Sequence, residues 1–236
     1  MIDVQNLSIR FGSHLVIDNI SFSVDRGSDM IILGHHGAGK TSILNWIFGQ
    51  VKGSGDMTVD RVKISNPTSK KLLKSGVCLV PEEGCVFPDL TVRENLLFSQ
   101  TLVNSDDPIP KNEGLFKNLY HLLDTKAYSL SGGQTRMLSI LMGMVRKPKY
   151  LFLDEPFAGL SKDAIGVFMQ QLKILKSRNV GVIITGEFDN IQYSEFTKVL
   201  KLGGKDEKGG CPLTLYCSPS EHNPDCFISH DDKITN

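Results

Sequence analysis

The run best suited to chemistry is Gly34-His35-His36-Gly37-Ala38-Gly39-Lys40-Thr41, with the spacing Gly-x-x-x-x-Gly-Lys-Thr of a phosphate-binding loop. Its glycines let backbone N–H groups curl around phosphate oxygens, and the helix start that follows adds partial positive charge. Lys40 is placed to meet the β- and γ-phosphates of a nucleotide, and Thr41 to ligate Mg²⁺. A chance glycine-rich turn would look similar, but an apolar strand before and a helix after favour the loop. A second group is Tyr150-Leu151-Phe152-Leu153-Asp154-Glu155-Pro156, an apolar strand ending in two acids. Such a strand delivers Asp154 to the carboxyl edge of a sheet, where it can hold the Mg²⁺ shell. Glu155 can then orient or deprotonate water that attacks the γ-phosphate. A third group, Leu130-Ser131-Gly132-Gly133-Gln134, opens a helix and offers a hydroxyl and free N–H groups to an anion. A plain helix N-cap would read the same way, yet one nucleotide needs no second glycine-rich cradle.

These groups need a sheet and helices to place them. Met30–Leu33, Val77–Val80, Tyr150–Leu153 and Val180–Ile184 are near-continuous apolar runs, as strands buried on both faces require. Between them, Lys162–Ser177 places Ile165, Phe168, Leu172 and Leu175 on one helical face. The helix after Ser131 does the same with Met137, Ile140, Leu141 and Met144. The alternation predicts an α/β fold. Val4–Phe11 and Leu15–Val24, around Gly12-Ser13, predict an antiparallel sheet beside it. From Leu90 to Val145 the strands stop. Thr91–Thr101 and Gly114–Leu123 read as helices around the polar turn Asn104–Pro108, a helical insertion. Aromatics such as Trp46 read as core.

With 236 residues, 40% hydrophobic and 22% charged, the chain can bury a core without disulfide or metal. A formal net charge of zero argues against a nucleic-acid binder. Lys70, Lys71 and Lys74 read as a solvated helix face. Five irregularly spaced cysteines without a secretory signal are expected to be free thiols. Cys211, Cys217, Cys226, His222, Asp225 and His230 fall in a Gly-, Lys-, Pro- and Ser-rich tail, and no CxxC pair supports a zinc site there. No signal peptide is visible, and no run approaches the ~20 apolar residues of a membrane helix. A cytoplasmic location is expected, with any membrane role assigned to a separate spanning partner.

The three motifs, in this order, resemble those of the ATP-binding cassette (ABC) ATPases, whose signature reads Leu-Ser-Gly-Gly-Gln. The resemblance covers residues 1–202 and implies a P-loop NTPase with a RecA-like parallel-sheet core, an N-terminal antiparallel β-subdomain and a helical insertion. The division it implies is one cassette over 1–236, with ATP-binding core 1–89 and 147–202, helical part 90–146 and tail 203–236. The implied ligands are ATP and Mg²⁺. The implied nucleotide-binding set is Phe11, Gly34, His35, His36, Gly37, Ala38, Gly39, Lys40, Thr41 and Ser42, with Ser131, Gly132, Gly133 and Gln134 reaching a partner's nucleotide. Phe11 matches the aromatic that stacks on adenine. Thr41, Asp154 and Glu82 are the implied metal ligands; Glu155, Lys40 and Glu82 are the implied catalytic groups. Implied partners are a second ABC domain, identical or not, and transmembrane permease subunits at the inner face of the cell membrane. Phe157-Ala158-Gly159-Leu160-Ser161 resembles the loop that touches the second domain. The run Leu79–Leu96 looks like that of branched-chain amino acid importers, with Glu82 where most members carry Gln.

Two departures stand out. His35 and His36 replace the usual Pro and Asn of the loop, which leaves backbone binding of phosphate intact. The family's switch His is missing, and counting back from Val199–Leu202 puts Glu187 at its place. A carboxylate there would repel phosphate, which opens slow hydrolysis as an alternative. Alternatives to transport are a soluble cassette without membrane partner and a slowly hydrolysing regulatory cassette.

Overall fold

A computed structural model describes residues 1–103, 117, 119–187, 195–203 and 213–217, the last stretch as backbone only. Its strands are β1 (Ile2–Phe11), β2 (His14–Val24), β3 (Asp29–Leu33), β4 (Gly53–Val59), β5 (Val62–Lys63), β6 (Val77–Val80), β7 (Tyr150–Leu153), β8 (Gly181–Gly186), β9 (Lys198–Leu202) and β10 (Leu213–Cys217). Its α-helices are α1 (Lys40–Ile47), α2 (Ser69–Lys74), α3 (Val92–Thr101), α4 (Gly132–Met144) and α5 (Lys162–Ser177).

The strands form two sheets, β2-β1-β4-β5 and β10-β9-β3-β8-β7-β6. The first is antiparallel throughout. In the second, β9, β3, β8, β7 and β6 run parallel and only β10 is antiparallel. The apolar runs explain why both faces of this sheet are covered. Ile31, Leu33, Leu151, Leu153, Val182 and Ile184 face one core, shared with α4 and α5. Their neighbours Met30, Ile32, Tyr150, Phe152 and Ile183 face the other, shared with α1 and the antiparallel sheet. That is the two-residue period of a strand, with apolar residues on both sides.

The expected helices fall at Val92–Thr101 and Gly132–Met144, opened by capping boxes at Thr91 and Ser131, and at Lys162–Ser177, capped by Ser161. The lysine run lies in α2, with Lys70, Lys71 and Lys74 exposed, while Trp46 is core. Of the expected helix Gly114–Leu123, the segment Tyr120–Leu122 is a 3₁₀ turn and most of the rest lies outside the described residues, as does the Asn104–Pro108 turn. The tail is not featureless: β10 adds an antiparallel edge strand to β9. The remaining cysteine and histidine candidates of the tail lie outside the described residues.

Candidate functional site

The loop 34–41 leaves β3 and enters α1. Gly37 and Gly39 have φ of 79° and 95°, a region that side chains disfavour. At Gly39 the restriction is doubled, since a Cβ would lie 2.8 Å from Val16 Cγ1 and 2.9 Å from Ile17 Cδ1. Gly39 is also the N-cap of α1, and no side chain caps that helix. Its first-turn N–H groups therefore open toward the loop without a protein carboxylate or hydroxyl on them. α4 is different, because Ser131 Oγ accepts from Gln134 N–H at 3.3 Å and Gln134 Oε1 accepts from Ser131 N–H at 2.9 Å.

A cavity of about 460 Å³ sits against the loop. Phe11 and Val16 form its apolar side; His36, Gly37, Gly39, Lys40, Thr41 and Ser42 come from the loop and α1. Glu82, Glu155 and Glu187 bring three carboxylates to the same space. Phe11 is half exposed, as a rim residue must be to contact a ligand.

Lys40 is buried and its Nζ donates to the Gly34 carbonyl at 2.8 Å and the His35 carbonyl at 3.1 Å. It also pairs with Glu155 Oε1 at 3.0 Å. Asp154 is buried at the end of β7 and accepts from Thr41 Oγ1 at 3.3 Å and Thr185 Oγ1 at 2.6 Å. The same Thr185 hydroxyl accepts from the Glu155 N–H at 2.8 Å, while Glu155 sits at φ 47°. Two acids just past β7, a lysine from α1 and a threonine from β8 are thus tied into one network. Thr41, Asp154 and Glu82 offer only hard oxygen donors, which suits Mg²⁺. Among the described residues no group of three or more His, Cys, Asp or Glu could hold a metal alone.

Sequence reasoning missed two residues. Thr185 ends the apolar run of β8, and its hydroxyl is the clamp between Asp154 and Glu155. Arg136, on α4, is also buried. Its Nη1 donates to the Pro81 and Glu82 carbonyls at 2.8 and 2.7 Å, and its Nη2 donates to the Asp154 carbonyl. Burial pulls the guanidinium pKa down, and Asp154, Glu82, Cys85 and Glu155 pull it back. The signal was available: Arg136 is the only charged residue in α4. A lone charge inside a helix of apolar residues is rarely there for packing.

Gly34, His35 and Ala38 belong to the loop without lining the cavity, and His35 Nδ1 sits 2.7 Å from the His36 carbonyl. Ser131, Gly132, Gly133 and Gln134 do not line it either. They form the start of α4, with Ser131 and Gly132 exposed. A side chain at Gly133 would lie 3.7 Å from the Gly159 carbonyl oxygen and 3.7 Å from Leu160 Cδ2. The loop 157–161 therefore runs beside the signature, while Ser161 Oγ caps α5 through Ala164 N–H at 3.3 Å.

The ABC transporter family matches residues 17–158, which contain the loop, the signature and both acids. The chain belongs to the ABC transporter family. It is an ATP-hydrolysing cassette whose ligands are ATP and Mg²⁺. The cassette is 29% identical over 191 residues to the lipopolysaccharide export system ATP-binding protein LptB of Haemophilus influenzae, covering 78% of this chain and 79% of that one. It is 34% identical over 193 residues to Nod factor export ATP-binding protein I of Burkholderia orbicola, covering 79% of this chain but 62% of that longer protein. Solved cassettes share the fold. An ATP-binding subunit of an ABC transporter superposes with a TM-score of 0.77 at 19% identity, covering 92% of this chain and 90% of that one. A dimeric bacterial ABC transporter cassette superposes at 0.71 and 19% identity, covering 85% and 94%. No helix among the described residues is long and apolar enough to cross a membrane.

Proposed function

We propose that this cassette binds MgATP in the cavity beside loop 34–41, closes on a second cassette, and so drives transport through membrane-spanning subunits at the cytoplasmic face. The observation that carries the reading is the convergence of Lys40, Thr41 and Glu155 at one cavity, with Asp154 bonded to Thr41 behind it and Phe11 at its rim. The uncapped first turn of α1 and Lys40 hold the phosphates. Thr41, Asp154 and Glu82 would hold Mg²⁺, which would supply neutralisation of phosphate charge. The triphosphate competes with Glu155 for the Lys40 ammonium. The carboxylate so released can orient water and accept its proton. Phe11 stacks on adenine.

The signature's place off the cavity supports a role in trans. Ser131 and Gly133 sit on an exposed helix start, where a second copy or a related cassette can bring its own nucleotide. The same reading keeps one cassette, with a core of 1–89 and 147–202 and a helical part between. The relatives described above are named for export, of lipopolysaccharide and of Nod factor. The branched-chain amino acid reading rests on the Leu79–Leu96 run alone. A second reading, slow turnover as a regulatory cassette, is favoured by Glu187 lining the cavity.

One experiment separates binding from closure. MgATP binding and hydrolysis are measured for the intact chain, Lys40→Ala and Ser131→Arg. Lys40→Ala is expected to lose binding. Ser131→Arg is expected to keep binding and lose hydrolysis. Micromolar binding by Lys40→Ala, or unchanged turnover by Ser131→Arg, refutes the assignment.

A further inference from the structure

The phosphate side of the cavity carries an unusual charge balance. Among the described residues that line it, Glu82, Glu155 and Glu187 contribute carboxylates, while Lys40 contributes the one ammonium. That ammonium is already paired with Glu155 at 3.0 Å. Glu187 is fixed by the backbone beside this pair. The Gly186 carbonyl accepts from Gly34 N–H at 3.2 Å, and the Gly34 carbonyl in turn accepts from Lys40 Nζ at 2.8 Å. Two residues before Glu187, Thr185 holds Asp154 and the Glu155 N–H. Glu187 therefore leaves the sheet at the end of the cavity where Lys40 and the two acids meet, on the phosphate side rather than at the Phe11 rim.

We propose that Glu187 is a specificity-determining residue that narrows the preference of this cavity for a nucleoside triphosphate over a diphosphate. The inference rests on the nucleotide-site reading given above. Loop N–H groups and Lys40 attract every phosphate, so an added terminal phosphate should raise affinity. Glu187 opposes that gain, because it leaves the sheet beside Lys40 and Glu155, where the proposed function puts the phosphate that water attacks. Unit charges repel appreciably at about 4 Å even in water, and more beside buried groups. The consequence is a cassette that holds its product nearly as well as its substrate.

The test is calorimetric binding of the Mg²⁺ complexes of ADP and of the non-hydrolysable triphosphate AMP-PNP to the intact chain and to Glu187→Gln. The variant keeps the shape and removes the charge. It is expected to bind AMP-PNP at least about fivefold more tightly and ADP less than about twofold more tightly. The fivefold gain should shrink as salt is raised. Glu187→Asp, which keeps the charge, should keep the wild-type ratio. Equal changes for both nucleotides, or none, overturn the inference while leaving the site assignment standing. Failure of the wild-type chain to bind either nucleotide overturns the site reading itself, and the inference with it. If Glu187→Gln does not fold, Glu187→Ser carries the same comparison.

Discussion

Arg136→Met tests whether α4 and the acid-bearing strand end act as one unit. The guanidinium donates to three carbonyls, those of Pro81, Glu82 and Asp154. Hydrogen bonds from a charged donor contribute roughly 1.5–3 kcal/mol each, but the three losses are unequal. Pro81 is half-buried and Glu82 exposed, so their carbonyls can regain water. The Asp154 carbonyl belongs to a residue only 3% exposed and would stay dry. An unsatisfied buried acceptor costs about 1–3 kcal/mol. Removing a buried cation also relieves its own desolvation, which partly offsets the loss. The net expectation is a destabilisation of about 2–4 kcal/mol, placing Arg136→Met among the larger single-residue effects. Urea unfolding reads this directly: at a slope of about 2 kcal/mol/M the midpoint falls by about 1–2 M. Hydrolysis should fall more than nucleotide binding, since the loop carrying Glu82 and the strand end carrying Asp154 lose their shared anchor. Arg136→Lys should lie between, because one ammonium cannot span three carbonyls as a planar fork does. A midpoint shift below about 0.3 M with unchanged hydrolysis would refute the reasoning.

Gly39→Ala combines a φ of 95° with contacts of 2.8 and 2.9 Å to Val16 and Ile17, whereas Gly37→Ala has a φ of 79° and no atom within 4 Å. Gly39→Ala should therefore lose about 2–3 kcal/mol and Gly37→Ala about 1 kcal/mol in thermal or urea unfolding, and equal losses would contradict the crowding described at Gly39. Burial pushes the Cys78 thiol up from 9.0 to about 11, against the opposing pull of Arg146. A pKa raised on folding favours the neutral form, so its stabilising contribution is complete below about pH 9 and is lost as pH rises toward 11. The chain should lose stability over that window more steeply than Cys78→Val, and parallel pH profiles would count against it.

How much of this was legible follows from what each residue does. The parallel strands were readable because burial on both faces demands continuous apolar runs, and β3, β6 and β7 fall where those runs lie. β8 extends two residues past its apolar run, through Thr185 and Gly186. Those residues are polar or small because they face the site, so the pattern faded where function began. The loop and the acid pair were legible because each is a short local run, and the structure brings Lys40, Thr41, Asp154 and Glu155 into one network. Arg136 was not, since three acceptors from distant segments converge on it and no local spacing encodes that. β10 was hidden because an edge strand is set by backbone pairing with β9 more than by side-chain pattern.

The backbone at Glu155 ties these observations together. A φ of 47° on a long-chain residue persists only where its surroundings over-determine it. Here the Thr185 hydroxyl holds the Glu155 N–H, Lys40 holds its carboxylate, and the Ala158 N–H donates to its carbonyl at 3.2 Å. The loop that follows is pinned by Phe157, whose ring meets Phe168 edge-on at 5.1 Å. That same loop passes Gly133 at the start of the signature helix. Whatever draws Lys40 away from Glu155 therefore releases one of three restraints on a residue poised between the cavity and the loop beside the signature. The loop 34–41 and the exposed helix start need no direct contact to influence one another, because Glu155 and its loop adjoin both.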